Sequence, residues 1–346
     1  MKVAIITDLH LGIRKNKDIF LESQIRFIEN EFIPYLKKNN IKIIFFLGDW
    51  HDNRNNLNVL IKNESYRLLE EVFKDFQIYM IVGNHDSFYN SSIDVNSLKF
   101  FNKFENAEVI ESIKTIEIDN KKICLVPWIV DNEKFIEEFE GNFDIVMGHF
   151  DITGSKMNKS KISETGINKS IFSNCKKVFS GHFHTRSIQK FGNTEIIYVG
   201  SPCQFDRGDM GEERGFIVLD LETLDYEFIN NETSIKFIKL EYPVTFNEDE
   251  VKNNIVDVYI DTAENEFDEI KIEKYSAKLC NYGAVDYNIF VVNSKEQEES
   301  EFSLNQTNIS SIEDMLKSYV DSLKLKNGDV VYNYLIELKN ETKEGI

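Results

Sequence analysis

Cysteine, proline and positive charge are all scarce in this sequence, and each shortage excludes something. The four cysteines (Cys124, Cys175, Cys203, Cys280) lie 51, 28 and 77 residues apart with no CxxC pair, so neither a zinc ribbon nor a dense disulfide framework is encoded. They are expected as reduced, mostly buried thiols. Basic residues number 40 against 59 acidic, a formal charge of −19 that argues against whole-molecule electrostatic attraction to nucleic acid or to an anionic membrane. The imbalance is uneven: residues 241–346 carry −13 and residues 1–240 only −6, so DNA binding by the first two-thirds stays open. The longest aliphatic-aromatic run, 43–47, is far below the ~20 residues of a membrane helix, and the apolar stretch 3–6 is too short for a signal-peptide core. A soluble, cytoplasmic protein without a membrane partner is expected. The 4 prolines leave few hard stops, so domain boundaries must be read from changes of pattern.

What is present is a recurring unit. With 346 residues and 42% hydrophobic content the chain can bury a sizeable core, divided at ~150 residues per domain into about two domains. Through 1–201, short apolar runs of strand length are each followed at once by Gly, Asp, His or Asn. Residues 3–6 precede Asp8-Leu9-His10, 43–47 precede Gly48-Asp49-Trp50-His51-Asp52, and 79–82 precede Gly83-Asn84-His85-Asp86. Later, 145–147 precede Gly148-His149, 178–179 precede Gly181-His182-Phe183-His184, and 196–199 precede Gly200-Ser201-Pro202. Helix-period stretches at 20–38 and 57–76 separate the early runs, which makes this part α/β. Ligands of open α/β sheets gather at strand carboxyl ends, so six such ends describe one site. Residues 215–220 and 224–229 read as a hairpin closing a first domain at about 234. A small α+β unit follows over 235–294, with strands near 235, 255–260 and 285–292 and a helix over 265–282. A polar, acidic linker is expected at 295–310, then a helical pair over 311–346.

All 6 histidines, His10, His51, His85, His149, His182 and His184, fall just after these runs. One such histidine is ordinarily a surface or core residue; six of six are hard to reconcile with that reading. With Asp8, Asp49 and Asn84 they form a nitrogen-and-oxygen donor set suited to a pair of borderline divalent ions, without the thiolates of a structural zinc site. In an extended segment residues i and i+2 share a side, so Asp8/His10 and His182/His184 can each present two donors to one place. A carboxylate such as Asp49 can bridge two ions ~3.5–4 Å apart.

The order DxH, GDxxD, GNHD, GH, GHxH resembles the calcineurin-like metallophosphoesterase superfamily over about residues 3–201. The finer resemblance is to the SbcD-type DNA exonucleases, and within them to the compact T4-type phage version. It rests on Asp8-Leu9-His10-Leu11-Gly12, on GNHD rather than GNHE, and on Tyr198-Val199-Gly200-Ser201-Pro202. The resemblance implies a two-sheet β-sandwich flanked by helices, a small α+β cap and a C-terminal helical pair. It implies Asp8, His10 and His184 on one metal, Asn84, His149 and His182 on the other, and Asp49 bridging. Manganese is the implied metal, magnesium the alternative, and no nucleotide is expected on this chain. His85 matches the histidine that stabilises charge at the scissile phosphate or protonates the leaving 3′ oxygen. Asp86 is expected to orient His85 or a loop, and Asp52 to support the ligands. His51 stands where such enzymes usually carry an apolar residue, and reads as a supporting, substrate-contacting or merely packed residue.

Arg14, Lys15, Lys17, Arg54, Arg186, Arg207 and Arg214 follow ligand loops and are candidate phosphate contacts, each also readable as a surface charge. The lysines of 156–161 are better read as an exposed loop, and no basic stripe interleaved with aromatics is present. By resemblance the activity is 3′–5′ exonuclease on double-stranded DNA and endonuclease on single strands, in recombination, repair and replication of a bacterial cell or phage-infected host. The implied partners are DNA, an SbcC-like coiled-coil SMC-type ATPase held by the C-terminal helices, and a second copy in a homodimer. Two other readings stand beside it: a phosphoprotein phosphatase or small-molecule phosphodiesterase on the same scaffold, and a non-catalytic scaffold, which would be expected to have lost ligands.

Overall fold

The computed structural model describes residues 1–262 and 269–293, together with helical Lys317, Val320, Val331, Tyr332, Tyr334, Leu335 and Ile336. The predicted linker 295–310, and the predicted helical pair apart from those seven residues, lie outside the described residues. In chain order the strands are β1 (Lys2–Ile6), β2 (Ile43–Phe46), β3 (Gln77–Ile81), β4 (Ser87–Tyr89), β5 (Ser92–Asn96), β6 (Ala107–Ile110), β7 (Lys114–Ile118), β8 (Lys121–Val126) and β9 (Phe143–His149). Then come β10 (Cys175–Gly181), β11 (Ser187–Phe191), β12 (Thr194–Tyr198), β13 (Gly215–Asp220), β14 (Tyr226–Asn230), β15 (Phe237–Glu241), β16 (Ile255–Asp261) and β17 (Asp286–Val292).

Two six-stranded sheets dominate, in the orders β14-β13-β1-β2-β3-β6 and β11-β12-β10-β9-β8-β7. Each has a parallel centre, β1-β2-β3-β6 and β12-β10-β9-β8, with antiparallel strands outside. Strands buried on both faces need unbroken apolar runs, and β1 and β2 supply them. Val3, Ile5, Phe45 and Leu47 of the first sheet pack with Ile145, Met147, Phe179 and Ile197 of the second to form the layer between them. The outer face of the first sheet is covered by the helical stretches 18–38 and 59–72, that of the second by 132–138 and 169–172. The α/β sandwich flanked by helices is therefore the observed architecture.

The two long helical stretches each contain a wide turn, at Ile28–Phe32 and Leu68–Val72. Phe27, Ile28, Phe32 and Ile33 around the first of these turns are all buried. The 59–67 helix starts at Asn58, whose side chain accepts the Leu60 N–H.

By internal contacts the chain divides into one unit of 1–240, 244–258 and 270–288, and another of 241–243, 259–269 and 289–346. The segment 235–294, expected as a separate cap, does contain strands and a helix (Glu269–Asn281), but much of it falls in the large unit. The reason is packing between segments distant in sequence: Phe237, Ile235 and Ile255 are buried against Phe20.

Candidate metal centre

The carboxyl ends of β1, β2, β3, β9 and β10 meet at one edge of the sandwich. The backbone there is unusual. Asp8, His10, Asp49 and His182 all have left-handed φ (52°, 48°, 58° and 86°), so the donor pairs 8/10 and 182/184 are not presented by simple strand alternation. Left-handed non-glycine residues cost of order 1–3 kcal/mol each and persist only where the surroundings hold them. Here the surroundings do. Asp8 N–H donates to Gly48 O (2.9 Å), His10 N–H to Asp49 O (3.0 Å) and Leu11 N–H to Trp50 O (2.8 Å), continuing the β1–β2 pairing past its formal end. Gly48 turns at φ 100°, and a Cβ on Gly83 would collide with the Asp49 carboxylate.

Two donor clusters result. In the first, His184 Nε2 is 3.1 Å from His10 Nε2 and 3.9 Å from Asp8 Oδ1. In the second, Asn84 Oδ1 is 2.9 Å from His149 Nε2 and 3.1 Å from His182 Nδ1. A single oxygen lies between them: Asp49 Oδ2, 3.5 Å from His10 Nε2 and 3.3 Å from His149 Nε2. The other Asp49 oxygen accepts the His85 N–H at 2.8 Å. Both Asp8 oxygens accept the His182 N–H at 3.1–3.2 Å. His149 Nδ1 donates to Leu47 O (2.7 Å), which turns Nε2 toward Asn84 Oδ1 and Asp49 Oδ2.

The electrostatics suit cations. Burial works against a charge on His10, but Asp52 and Asp8 outweigh it and push the imidazole up to about 10. Burial likewise opposes charge on His149, and Asp49 overcomes it, up to about 9. His182 and His184 are each pushed down to about 4, by burial and then by His149 and His10 respectively. Asp49 is held far below the carboxylate range, because His149 and His10 outweigh its burial. A buried carboxylate pair and crowded imidazole nitrogens within reach of one another form a donor set that fits two divalent ions.

The remaining sequence-predicted residues divide. His85 Nδ1 donates to Asp52 O at 2.7 Å, and its ring meets the His10 ring edge-on at 4.7 Å. Asp52 also lies 3.4 Å from His10 Nδ1, so His10, Asp52 and His85 form a further donor group at the rim. Asp86 is fully buried and accepts backbone N–H groups of Gly83, Asp49, Trp50 and His51, so it anchors two ligand loops rather than the His85 ring. His51 faces away from the donors. It bonds Ser97 Oγ (2.7 Å) and Ser65 Oγ (3.1 Å), lies against Phe101, and is pushed down to about 3 by burial, which makes it a packed core residue.

A calcineurin-like phosphoesterase family model matches residues 1–186. The chain belongs to the calcineurin-like phosphoesterase family. "Exonuclease subunit 1" of Enterobacteria phage T4 is 27% identical over 337 residues, 93% of either chain. An SbcCD nuclease subunit of Staphylococcus epidermidis is 24% identical over 261 residues, covering 64% of this chain and 66% of its own. A solved archaeal phosphodiesterase aligns at 15% identity and a TM-score of 0.37, over 66% of this chain and 99% of its own. This phosphoesterase is accordingly a metal-dependent phosphodiester hydrolase.

Not every basic residue singled out in the sequence faces the phosphoesterase's substrate side. Arg186 lies over the Phe228 ring and donates to Ile229 O, with its side chain only 12% exposed. Arg207 grips the fully buried Asp257, and Arg214 is buried against Asp209 and Glu212. Arg186 and Arg214 are structural cations, whereas Arg207 keeps about half of its side chain exposed (49%) beside its ion pair with Asp257. Arg14 donates to Phe205 O, Arg54 donates to Asn90, and Lys15 and Lys17 are exposed. Sequence reasoning missed Trp128, whose ring stands 5.0 Å from His182 and 5.9 Å from His149. The signal was available: Trp128 follows β8 as the ligands follow the other strands. It also missed Phe205, edge-on to both His10 and His184.

Proposed function

We propose that this phosphoesterase is a two-metal DNA nuclease subunit. The observation that carries the reading is Asp49 Oδ2, one carboxylate oxygen within 3.5 Å of imidazole nitrogens from both clusters. Asp8, His10 and His184 would hold one ion and Asn84, His149 and His182 the other, with Asp49 within reach of both. On this nitrogen-rich set manganese is favoured over magnesium. When bound, such a pair would supply Lewis acidity toward the phosphodiester and toward a water. The chain's own work is placement. His85 is fixed through Nδ1–H to Asp52 O, and in its imidazolium form the Nε2–H would stabilise charge on the phosphate or hand its proton to the leaving oxygen. Trp128 and Phe205 flank the imidazoles with apolar surface that keeps their rotamers fixed.

The names of the two relatives, an exonuclease subunit and a nuclease subunit, support DNA as substrate and an assembly with a second protein. Within that reading the activity is 3′–5′ exonuclease on duplex ends and endonuclease on single strands, performed as a homodimer with an SbcC-like ATPase bound through 311–346.

Release of nucleotides from 3′-labelled linear duplex tests the proposal, with manganese against magnesium and wild type against His85→Ala. Manganese-dependent release that fails in the variant is expected. Rapid turnover of p-nitrophenyl phosphate with intact DNA would turn the reading to a phosphomonoesterase on the same fold.

A further inference from the structure

β4 and β5 form an antiparallel hairpin immediately after the Gly83–Asp86 loop. Its base is fixed. Ser87 Oγ donates to Gly83 O (3.1 Å), Ser97 N–H donates to Asp86 O (2.8 Å), and Asn96 Nδ2 donates to Glu111 (2.8 Å). Its tip is tied to the neighbouring ligand loop by Arg54, which donates to Asn90 Oδ1. On this rigid hairpin two large rings face water: Phe88 is 43% exposed and Tyr89 51%, packed edge-to-face with centroids 4.8 Å apart. Phe88 is three residues from His85, so their Cα atoms lie within ~11 Å of each other.

Two exposed aromatics side by side at the rim of a charged, polar centre have no packing role to explain them. Nor can electrostatics alone hold a nucleic acid here, because residues 1–240 carry a net −6. Ring-on-base stacking needs no charge and tolerates any base, since every base has a π-face.

We propose that Phe88 and Tyr89 form a stacking platform for an unpaired nucleobase flanking the scissile phosphate, beside Arg54 as the cation for the adjoining phosphate; this rests on the DNA-nuclease reading above. The platform selects single-stranded or frayed DNA, because a base inside a duplex has no free face to offer.

The test uses the full chain with manganese and three probes. They are a short single-stranded oligonucleotide, the same strand with an abasic nucleotide beside the cut bond, and bis(p-nitrophenyl) phosphate, a diester without a nucleobase. The double variant Phe88→Ala/Tyr89→Ala is expected to lose about tenfold in kcat/KM on the oligonucleotide, mostly through KM. Wild type should show a matching loss on the abasic strand, to which the double variant adds nothing, and Phe88→Tyr/Tyr89→Phe should restore the oligonucleotide rate. Wild-type cleavage of DNA by the double variant overturns the platform, as does an equal loss by that variant on the abasic strand. A changed sedimentation coefficient with unchanged DNA kinetics also overturns it, since the rings then cover a second copy. If wild type hydrolyses the diester and leaves every DNA intact, the nuclease reading falls, and the platform with it.

Discussion

The Nε2 atoms of His10 and His184 lie 3.1 Å apart. Two lone pairs cannot face each other at that distance, so a proton or a cation stands between them. Without metal the proton belongs to His10, raised to about 10, and His184, lowered to about 4, accepts from it. His149, raised to about 9, holds another. A metal ion binds only the neutral imidazole, so loading must expel these protons. Both groups are protonated at pH 7, so affinity should rise with pH through the neutral range. Calorimetric titration with manganese at pH 7, in buffers of different ionisation enthalpy, should reveal release of about one to two protons per chain. Heats independent of buffer would show that His10 and His149 are not ligands.

Asp86 carries a second prediction. Its two oxygens receive four backbone N–H groups at 2.9–3.1 Å, from Gly83, Asp49, Trp50 and His51. Asp86→Asn keeps the shape but turns one acceptor into a donor facing N–H groups. The substitution should destabilise the metal-free protein by about 2–3 kcal/mol, and weaken manganese binding by about tenfold or more through misplaced Asp49. Chelator-treated protein in a denaturant titration checks the first figure and an equilibrium metal titration the second. Wild-type values in both would remove Asp86 from the loop anchor.

His51 should report on pH. Its ordinary value of 6.5 is lowered to about 3 by burial. Between those values the unfolded chain takes up a proton that the folded chain refuses, so stability falls as pH drops below 6.5 and this loss ends near 3. The slope is about 1.4 kcal/mol per pH unit for one proton. His51→Phe removes it, at a constant cost of about 1 kcal/mol for the lost serine hydrogen bonds. Denaturation of the metal-free proteins at pH 4.5 and 6 should therefore give a flatter pH dependence for the variant. Parallel curves would contradict a neutral, packed His51.

The donors could be read from the chain because each lies within a few residues of its strand end, and strand runs are local patterns. The φ values of Asp8, His10 and Asp49 could not, since they depend on β1 and β2 exchanging hydrogen bonds about 40 residues apart in sequence, as between Asp8 and Gly48 or Asp49 and His10. Partners distant in sequence also explain the arginines. Arg207 looks like a surface charge of its own loop until Asp257, 50 residues on, accepts from its Nε and Nη2. Trp128 escaped notice because β8 ends at Val126 and Pro127 follows it, without the glycine or acid that marked the other strand ends. The packing of 235–258 on Phe20 is likewise a contact between segments over 200 residues apart, invisible to periodicity.

Arg214 bears on the metal centre from outside it. Its guanidinium donates to His184 O, to Asp209 Oδ1 (2.6 Å) and to Glu212 Oε2 (2.7 Å), and its side chain is 3% exposed. Asp209 in turn accepts the Phe205 N–H at 2.7 Å, and the Phe205 ring stands edge-on to His10 and His184 at 5.6 and 5.5 Å. One buried fork thus fixes both the backbone and the ring wall of the first donor cluster. A lysine keeps the charge but not the planar, multiply bonded geometry. Arg214→Lys should destabilise the fold by about 1–3 kcal/mol and raise the manganese concentration needed for half-maximal activity about 10–100-fold. Because no donor atom is removed, the rate at saturating manganese should stay within a few-fold of wild type. An unchanged manganese requirement would show that His184 is held without Arg214. A collapse of the saturated rate would instead place Arg214 in the reaction itself.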